Sequence, residues 1–198
     1  MSRRRPTEQH EVRGNTNNAG EWGHTLLVLD GRLCRCGRRG CVEAYVGAPG
    51  LRATLAEVDP SHPALGQPGQ RDFAETLAFG LAAGDPVLWE FVRRTGRCLA
   101  AALGDLVNLL NVPKVTLTGW VPKALARWLV PAMRDELPRH VLPGSLPGLT
   151  VELSRIPGNA VSLGMAAFTL ERFLTRLGLS SPARTRSQPA AEVARLIG

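Results

Sequence analysis

Three of the chain's four cysteines stand at Cys34, Cys36 and Cys41, and His24 lies ten residues ahead of the first, at the head of a short apolar run. One imidazole nitrogen and three sulfurs make a full tetrahedral set for zinc. The Cys-x-Cys pair followed closely by a third cysteine gathers three thiolates on one tight knuckle. Glycines at Gly37 and Gly40 let that backbone reverse without a Cβ penalty. A disulfide pair would leave one cysteine over, and the opening Met1-Ser2-Arg3-Arg4-Arg5-Pro6 has no apolar stretch of the secretory kind. The expectation is a closed, structural zinc site with His24, Cys34, Cys36 and Cys41 as ligands, since four protein donors leave no open position for a reactive water. The fourth cysteine, Cys98, falls in a helical apolar pattern and reads as a small core residue.

Of the 198 residues, 44% are hydrophobic and 21% charged, an ordinary balance for a globule with a sizeable core. No stretch approaches the apolar length needed to span a bilayer, and reduced, metal-binding cysteines point to the cytoplasm. The net charge of +7 invites a nucleic-acid reading. Arginine carries nearly all of it, however, with lysine only at Lys114 and Lys123, and much of the excess lies at the two ends, in Arg3 to Arg5 and at Arg176, Arg184, Arg186 and Arg195. There is no helix-turn-helix pattern and no interleaving of aromatic with basic residues, so the chain carries no reading head for DNA.

Residues 1–13 are polar and unpatterned and read as disordered. His24 to Leu29 reads as a strand ended by Asp30-Gly31, and helical patterns follow over 42–46 and 49–58, parted at Gly47. A loop over 59–70 precedes a helix from Phe73 to Ala82. Asp85-Pro86 then supplies an N-cap and a first-turn proline. The strongest periodicity in the chain runs from Val87 to Leu110 on one face, stopped by Asn111 and Pro113. Val115 to Thr118 reads as a buried strand closed by Gly119, and Pro122 opens a helix that Pro131 is expected to break or restart. Leu149 to Leu153 alternates as a strand, and a last helix from about Ala160 to Leu177 would bury Leu163, Gly164, Ala167, Leu170 and Leu174. Residues 178–198 read as a flexible basic tail. Strands alternating with helices argue for the α/β class.

Ala19-Gly20-Glu21-Trp22-Gly23-His24, followed by Cys34-x-Cys36-Gly37-x-x-Gly40-Cys41-x-Glu43, resembles the ROK family of repressors, open reading frames and sugar kinases. Gly84-Asp85-Pro86, Val107-Asn108-Leu109-Leu110-Asn111 leading into Val115-Thr116-Leu117-Thr118-Gly119, and Gly158-Asn159-Ala160 through Ala167 are similar to later landmarks of that family in the expected order. The resemblance covers roughly residues 14–175. It implies an actin- and hexokinase-like (ribonuclease H-like) ATPase-fold lobe with an inserted zinc knuckle. Residues 14–177 would form the C-terminal, sugar-binding lobe, with its zinc loop over 24–43 and the N-terminal lobe largely missing. In that family the zinc histidine also touches the bound sugar, helped by a glutamate three residues before it and another two residues after the last cysteine. Here those positions hold Glu21, His24 and Glu43. The chemistry suits the role: carboxylates accept charge-assisted bonds from sugar hydroxyls, and an imidazole held by a metal keeps its other N–H to donate.

The family's kinases also carry an Asp-x-Gly-x-Thr phosphate loop and an Asn-Asp pair whose aspartate is the base on the sugar hydroxyl. Neither stands in this sequence ahead of the Glu-x-x-His element. Phosphoryl transfer needs both a base in reach and a cradle for nucleotide and metal. Gly119 is the candidate for a nucleotide contact, yet Trp120 follows it where the kinases have a further glycine, which looks more like the regulators of the family. The resemblance therefore implies the sugar-sensing, zinc-stabilised portion of a transcriptional regulator, non-catalytic as it stands. The alternative is a fragment of an ATP-dependent, glucokinase-like sugar kinase, with ATP and Mg2+ bound only if a complementary lobe is supplied. The expected partners are a monosaccharide or sugar derivative and further copies of the chain. DNA would be met only through a domain absent here, and no membrane is involved.

Overall fold

Asp85 starts the longest helix by accepting from the N–H groups of Val87 at 2.8 Å and Leu88 at 3.4 Å, with Pro86 at the first helical position. In this computed structural model, which describes residues 14–16, 18–156 and 159–179, the helices are α1 (Glu43–Val46), α2 (Ala48–Val58), α3 (Gln70–Ala82), α4 (Pro86–Leu110), α5 (Trp120–Glu136) and α6 (Ala160–Arg176). The strands are β1 (Lys114–Leu117) and β2 (Thr150–Leu153). They pair in parallel, Lys114 against Thr150 through Leu117 against Leu153, with α5 in the connection that a parallel pair requires. Residues 1–13 and 180–198, where disorder and most of the basic tail are expected, lie outside the described residues.

The chain divides into a unit over Glu21–Asn159 and a second that contains Ala160–Gly198. In the first, α4 is the shared wall of two apolar clusters. Leu88, Phe91 and Val92 meet Leu55, Phe73, Leu77 and Leu125 from α2, α3 and α5. Further along, Ala100, Leu103 and Val107 meet Met133, Leu137 and Val151. Each fully buried leucine or phenylalanine in such a cluster contributes about 1.5–3 kcal/mol. The helix crossing is close because Gly96 lacks a side chain: a Cβ there would stand 2.9 Å from that of Ala132. Asn111 ends α4 in the left-handed conformation, φ 48°, as the sequence pattern predicts, although Leu110 at the tip is exposed.

Four expectations need correction. His24 to Leu29 is not a strand: Trp22–His24 forms a 3-10 turn, and the rest of the run has a single isolated bridge, Leu26 to Cys41. Its amides are spent on the knuckle, Leu27 and Val28 both donating to the Gly40 carbonyl. Pro131 neither breaks nor restarts α5, which runs unbroken from Trp120 to Glu136. Pro131 sits on the exposed side while Leu125, Leu129 and Met133 are buried, so the packing of that face outweighs the one lost backbone bond. β1 is not buried; its residues alternate between exposed and half-buried because β2 is its sole strand partner among the described residues. In the second unit, α6 buries none of its residues, so the stripe of Leu163, Gly164, Ala167, Leu170 and Leu174 is not a core face here. Within the predicted 59–70 loop, Pro63–Gly66 forms a further 3-10 turn.

Candidate functional site

The knuckle is a folded loop before it is a ligand set. Gly37 N–H returns to the Cys34 carbonyl at 2.9 Å, Cys34 N–H reaches the Arg38 carbonyl at 2.8 Å, and Leu33 bridges Arg39. Gly40 has φ 76°, and a Cβ there would lie 1.8 Å from the Val28 carbonyl oxygen, so only glycine fits. Two anchors fasten this loop to the helices. The Trp22 indole N–H donates to the Ala102 carbonyl of α4 at 3.0 Å. One terminal nitrogen of Arg32 donates to the carbonyls of Ala44 and Gly50 and to the Thr54 hydroxyl, while the rest of its guanidinium grips Glu57. The Arg32 backbone N–H donates to the Tyr45 hydroxyl, and its guanidinium lies 4.6 Å over the Tyr45 ring.

The loop brings His24, Cys34, Cys36 and Cys41 together, with one donor atom from each within 4.8 Å of all the others. His24 Nδ1 is 3.7 Å from Cys34 Sγ, and Cys36 Sγ is 3.7 Å from Cys41 Sγ. A tetrahedral zinc with bonds of about 2.3 Å to sulfur and 2.0–2.1 Å to nitrogen spaces its donors by about 3.5–3.8 Å. The donor set therefore fits such an ion directly in these two pairs, and with a contraction of about 1 Å or less elsewhere. The backbone N–H of Arg38 draws the Cys36 thiol down to about 6, against desolvation and with help from the Arg38 guanidinium. Burial, with the neighbouring sulfurs, pushes Cys41 up to about 11. Three thiols this close repel one another when ionised, and a divalent cation bound among them would stabilise the full thiolate set. All four cysteines are free of disulfides.

The other edge of the same imidazole meets carboxylates. His24 Nε2 lies 3.8 Å from Glu43 Oε2 and 3.9 Å from Glu21 Oε2. Neither distance is a hydrogen bond. A hydroxyl placed about 2.8 Å from both the imidazole nitrogen and a carboxylate oxygen would complete two bonds at once. Glu43 is held by α1 and by Arg35, whose guanidinium donates to its Oε1 at 2.8 Å; Glu21 is the more exposed, at the head of the 3-10 turn. Arg35 and Glu43 both line a cleft of about 290 Å3 that continues past Cys34 to Gly50 and Glu57. Gly119 is not part of this cluster. It lies two residues beyond the end of β1 and, with φ 107°, is the N-cap of α5, with Trp120 exposed at the first helical position.

Sequence reasoning missed Trp22, Arg32 and Arg35. Arg32 and Arg35 look like any two of the chain's many arginines, and no local pattern marks a residue whose partners lie eight positions ahead, as for Arg35, or 12 to 25, as for Arg32. Trp22 sits inside the motif, but its acceptor is 80 residues away.

The packed helices and parallel strand pair that carry this four-donor Cys/His knuckle are similar to part of the fold of solved ROK sugar kinases and regulators. The chain belongs to the ROK family: the family model described as "ROK family" matches residues 7–172. It is 27% identical over 172 residues to a glucokinase of Thermotoga maritima, spanning 84% of this chain and 54% of that enzyme. Among solved structures it is similar to a ROK family transcriptional regulator, a homologue of the E. coli MLC protein, with a TM-score of 0.61, 27% identity and coverage of 73% of this chain and 37% of the other. It is equally similar to a ROK hexokinase from Thermus thermophilus, at a TM-score of 0.61 and 26% identity over 82% of this chain and 51% of that one. The chain thus spans about half or less of the length of these relatives, and both regulators and sugar kinases stand among them. No helix among the described residues is long and apolar enough to cross a membrane.

Proposed function

We propose that this chain is the sugar-sensing portion of a ROK transcriptional regulator, binding a monosaccharide or sugar derivative through Glu21, His24 and Glu43. The observation that carries this reading is the two-sided imidazole of His24, Nδ1 toward the thiol cluster and Nε2 toward the two carboxylates. Zinc on His24, Cys34, Cys36 and Cys41 would supply the cross-link that folds the knuckle and sets the histidine tautomer. The residues then do the recognition: Nε2–H donates to a hydroxyl oxygen, and Glu43, held in place by Arg35, accepts from that or the next hydroxyl.

Titration calorimetry of the zinc-loaded chain against common monosaccharides and their N-acetyl forms tests this. A saturable heat with at least one of them is expected. Glu43→Gln, which removes the charged acceptor and keeps the shape, should weaken it by about 10–100-fold. No heat with any of these sugars would remove the main support.

The second reading is a portion of an ATP-dependent sugar kinase, favoured by the likeness to the Thermotoga glucokinase and the Thermus hexokinase. Trp120 beside Gly119 weighs against it, since its indole would crowd a nucleotide approaching that turn. A coupled assay with ATP, Mg2+ and glucose decides between the two: turnover by this chain would establish the kinase reading, and none is expected.

A further inference from the structure

A second cleft, of about 360 Å3, opens between the knuckle loop, α2 and α4. Neither the knuckle cysteines nor Glu21, His24 or Glu43 lines it. Its α4 wall is Arg94, Arg97, Cys98 and Ala101, whose spacing of three, four and seven residues puts them in one stripe of the helix. Leu27 and Val28 of the loop supply apolar surface, and His140 also lines the space.

The charges in this lining do not balance. Arg32 is matched by Glu57 at 2.7 Å. Arg94 spends its Nε on Glu90, which Arg93 already engages through two nitrogens, and among the described residues the terminal nitrogens of Arg94 have no carboxylate partner. Arg97 has no carboxylate partner among the described residues. Three arginines therefore face one glutamate in the lining. Burial pushes the Cys98 thiol up, with Arg32 and Arg97 only partly opposing it, so Cys98 adds no negative charge. The volume lies at the small end of ligand pockets, roughly 300–1,000 Å3. A cleft with surplus, solvent-exposed guanidinium groups on one wall and aliphatic surface on another suits a compact dianion with a short organic body.

We infer that this cleft binds a small phosphomonoester, its phosphate on Arg97 and the free edge of Arg94, its organic body against Leu27, Val28 and Ala101. The site is separate from the sugar contact proposed above and stands or falls independently of it.

Calorimetry on the zinc-loaded full chain with glycerol phosphate and with inorganic phosphate is the test, repeated at low and raised salt. Saturable binding of the ester is expected, tighter than that of inorganic phosphate and weakened by salt. Arg97→Ala and Arg97→Glu should weaken it by about tenfold or more while leaving any monosaccharide heat unchanged; Glu43→Gln should leave it intact. Absence of saturable ester binding, or an ester affinity insensitive to both Arg97 variants, overturns the site. Equal affinity for inorganic phosphate overturns the apolar contact, and loss of ester binding in Glu43→Gln would move the ligand to the other cleft.

Discussion

Arg32→Ala is the most discriminating perturbation of the fold around the knuckle. Its side chain is 19% exposed and is the common partner of two helices: Ala44 in α1, and Gly50, Thr54 and Glu57 in α2. The Glu57 pair is half-exposed on the acid's side and is worth no more than about 1 kcal/mol. The larger loss comes from the bonds to the Ala44 and Gly50 carbonyls and to buried Thr54, where a charged donor contributes about 1.5–3 kcal/mol each before neighbouring groups relax and water enters. Stacking on Tyr45 adds about 0.5–1 kcal/mol. Because these bonds share one guanidinium they do not sum, and a net cost of about 3–4 kcal/mol is expected. For a chain of this size that lowers Tm by about 6–16 °C. Urea and thermal unfolding of the zinc-loaded protein, followed by circular dichroism, measures it, with Glu57→Ala as the control expected to cost under about 1 kcal/mol. An Arg32→Ala cost within about 1 kcal/mol of zero, or an equal cost for Glu57→Ala, would refute the argument that buried carbonyl bonds, not the ion pair, anchor the loop.

Cys36→Ser should reduce bound zinc far below one ion per chain by elemental analysis and raise hydrogen exchange over 33–46, since metal binding of about 10–16 kcal/mol is what folds such a loop; one ion retained would break the ligand assignment. Gly40→Ala should destabilise by about 3 kcal/mol or more, from the left-handed backbone and a Cβ driven into the Val28 carbonyl, whereas Gly66→Ala, with open space and no such backbone, should cost under about 0.5 kcal/mol in the same melt. Asp85→Ala should cost about 2 kcal/mol by removing the α4 cap and leaving buried His62, 3.1 Å from Asp85, without its acceptor. Burial raises the Asp85 carboxyl, but His62 and the Val87 and Leu88 amides outweigh it and hold it below 3.8. Its contribution is therefore full above that ordinary value and lost as pH falls through the depressed one; wild type and Asp85→Ala should converge in stability at low pH, and parallel acid curves would refute the role.

Helix starts and stops were legible because their chemistry is local. Asp85, Pro86 and Asn111 satisfy or terminate the backbone within a turn of themselves, and the structure uses each as its residue type predicts. The apolar run after His24 misled for the opposite reason: β propensity describes a residue's fit to a sheet, and among the described residues no neighbouring strand pairs with it. Pro131 misled because the loss of one backbone bond is a local cost, while the burial of Leu125, Leu129 and Met133 is a tertiary gain. The 3-10 turn at Pro63–Gly66 left no periodic trace; it is organised by His62, whose Nδ1 accepts from Ala64 while Nε2 meets Asp85 across 23 positions.

The sequence by itself determined which atoms could form the knuckle, because donor type and spacing are covalent facts: one imidazole, three thiols and the glycines that let eight residues double back. Which edge of His24 faces sulfur and which faces Glu21 and Glu43 was decided only in three dimensions, where Trp22 ties the turn to α4 and Arg32 ties the loop to α1 and α2. Those anchors depend on carbonyls brought near by helix packing, and a hydrogen bond carries no signature in sequence when its partner is selected by distance in the folded chain.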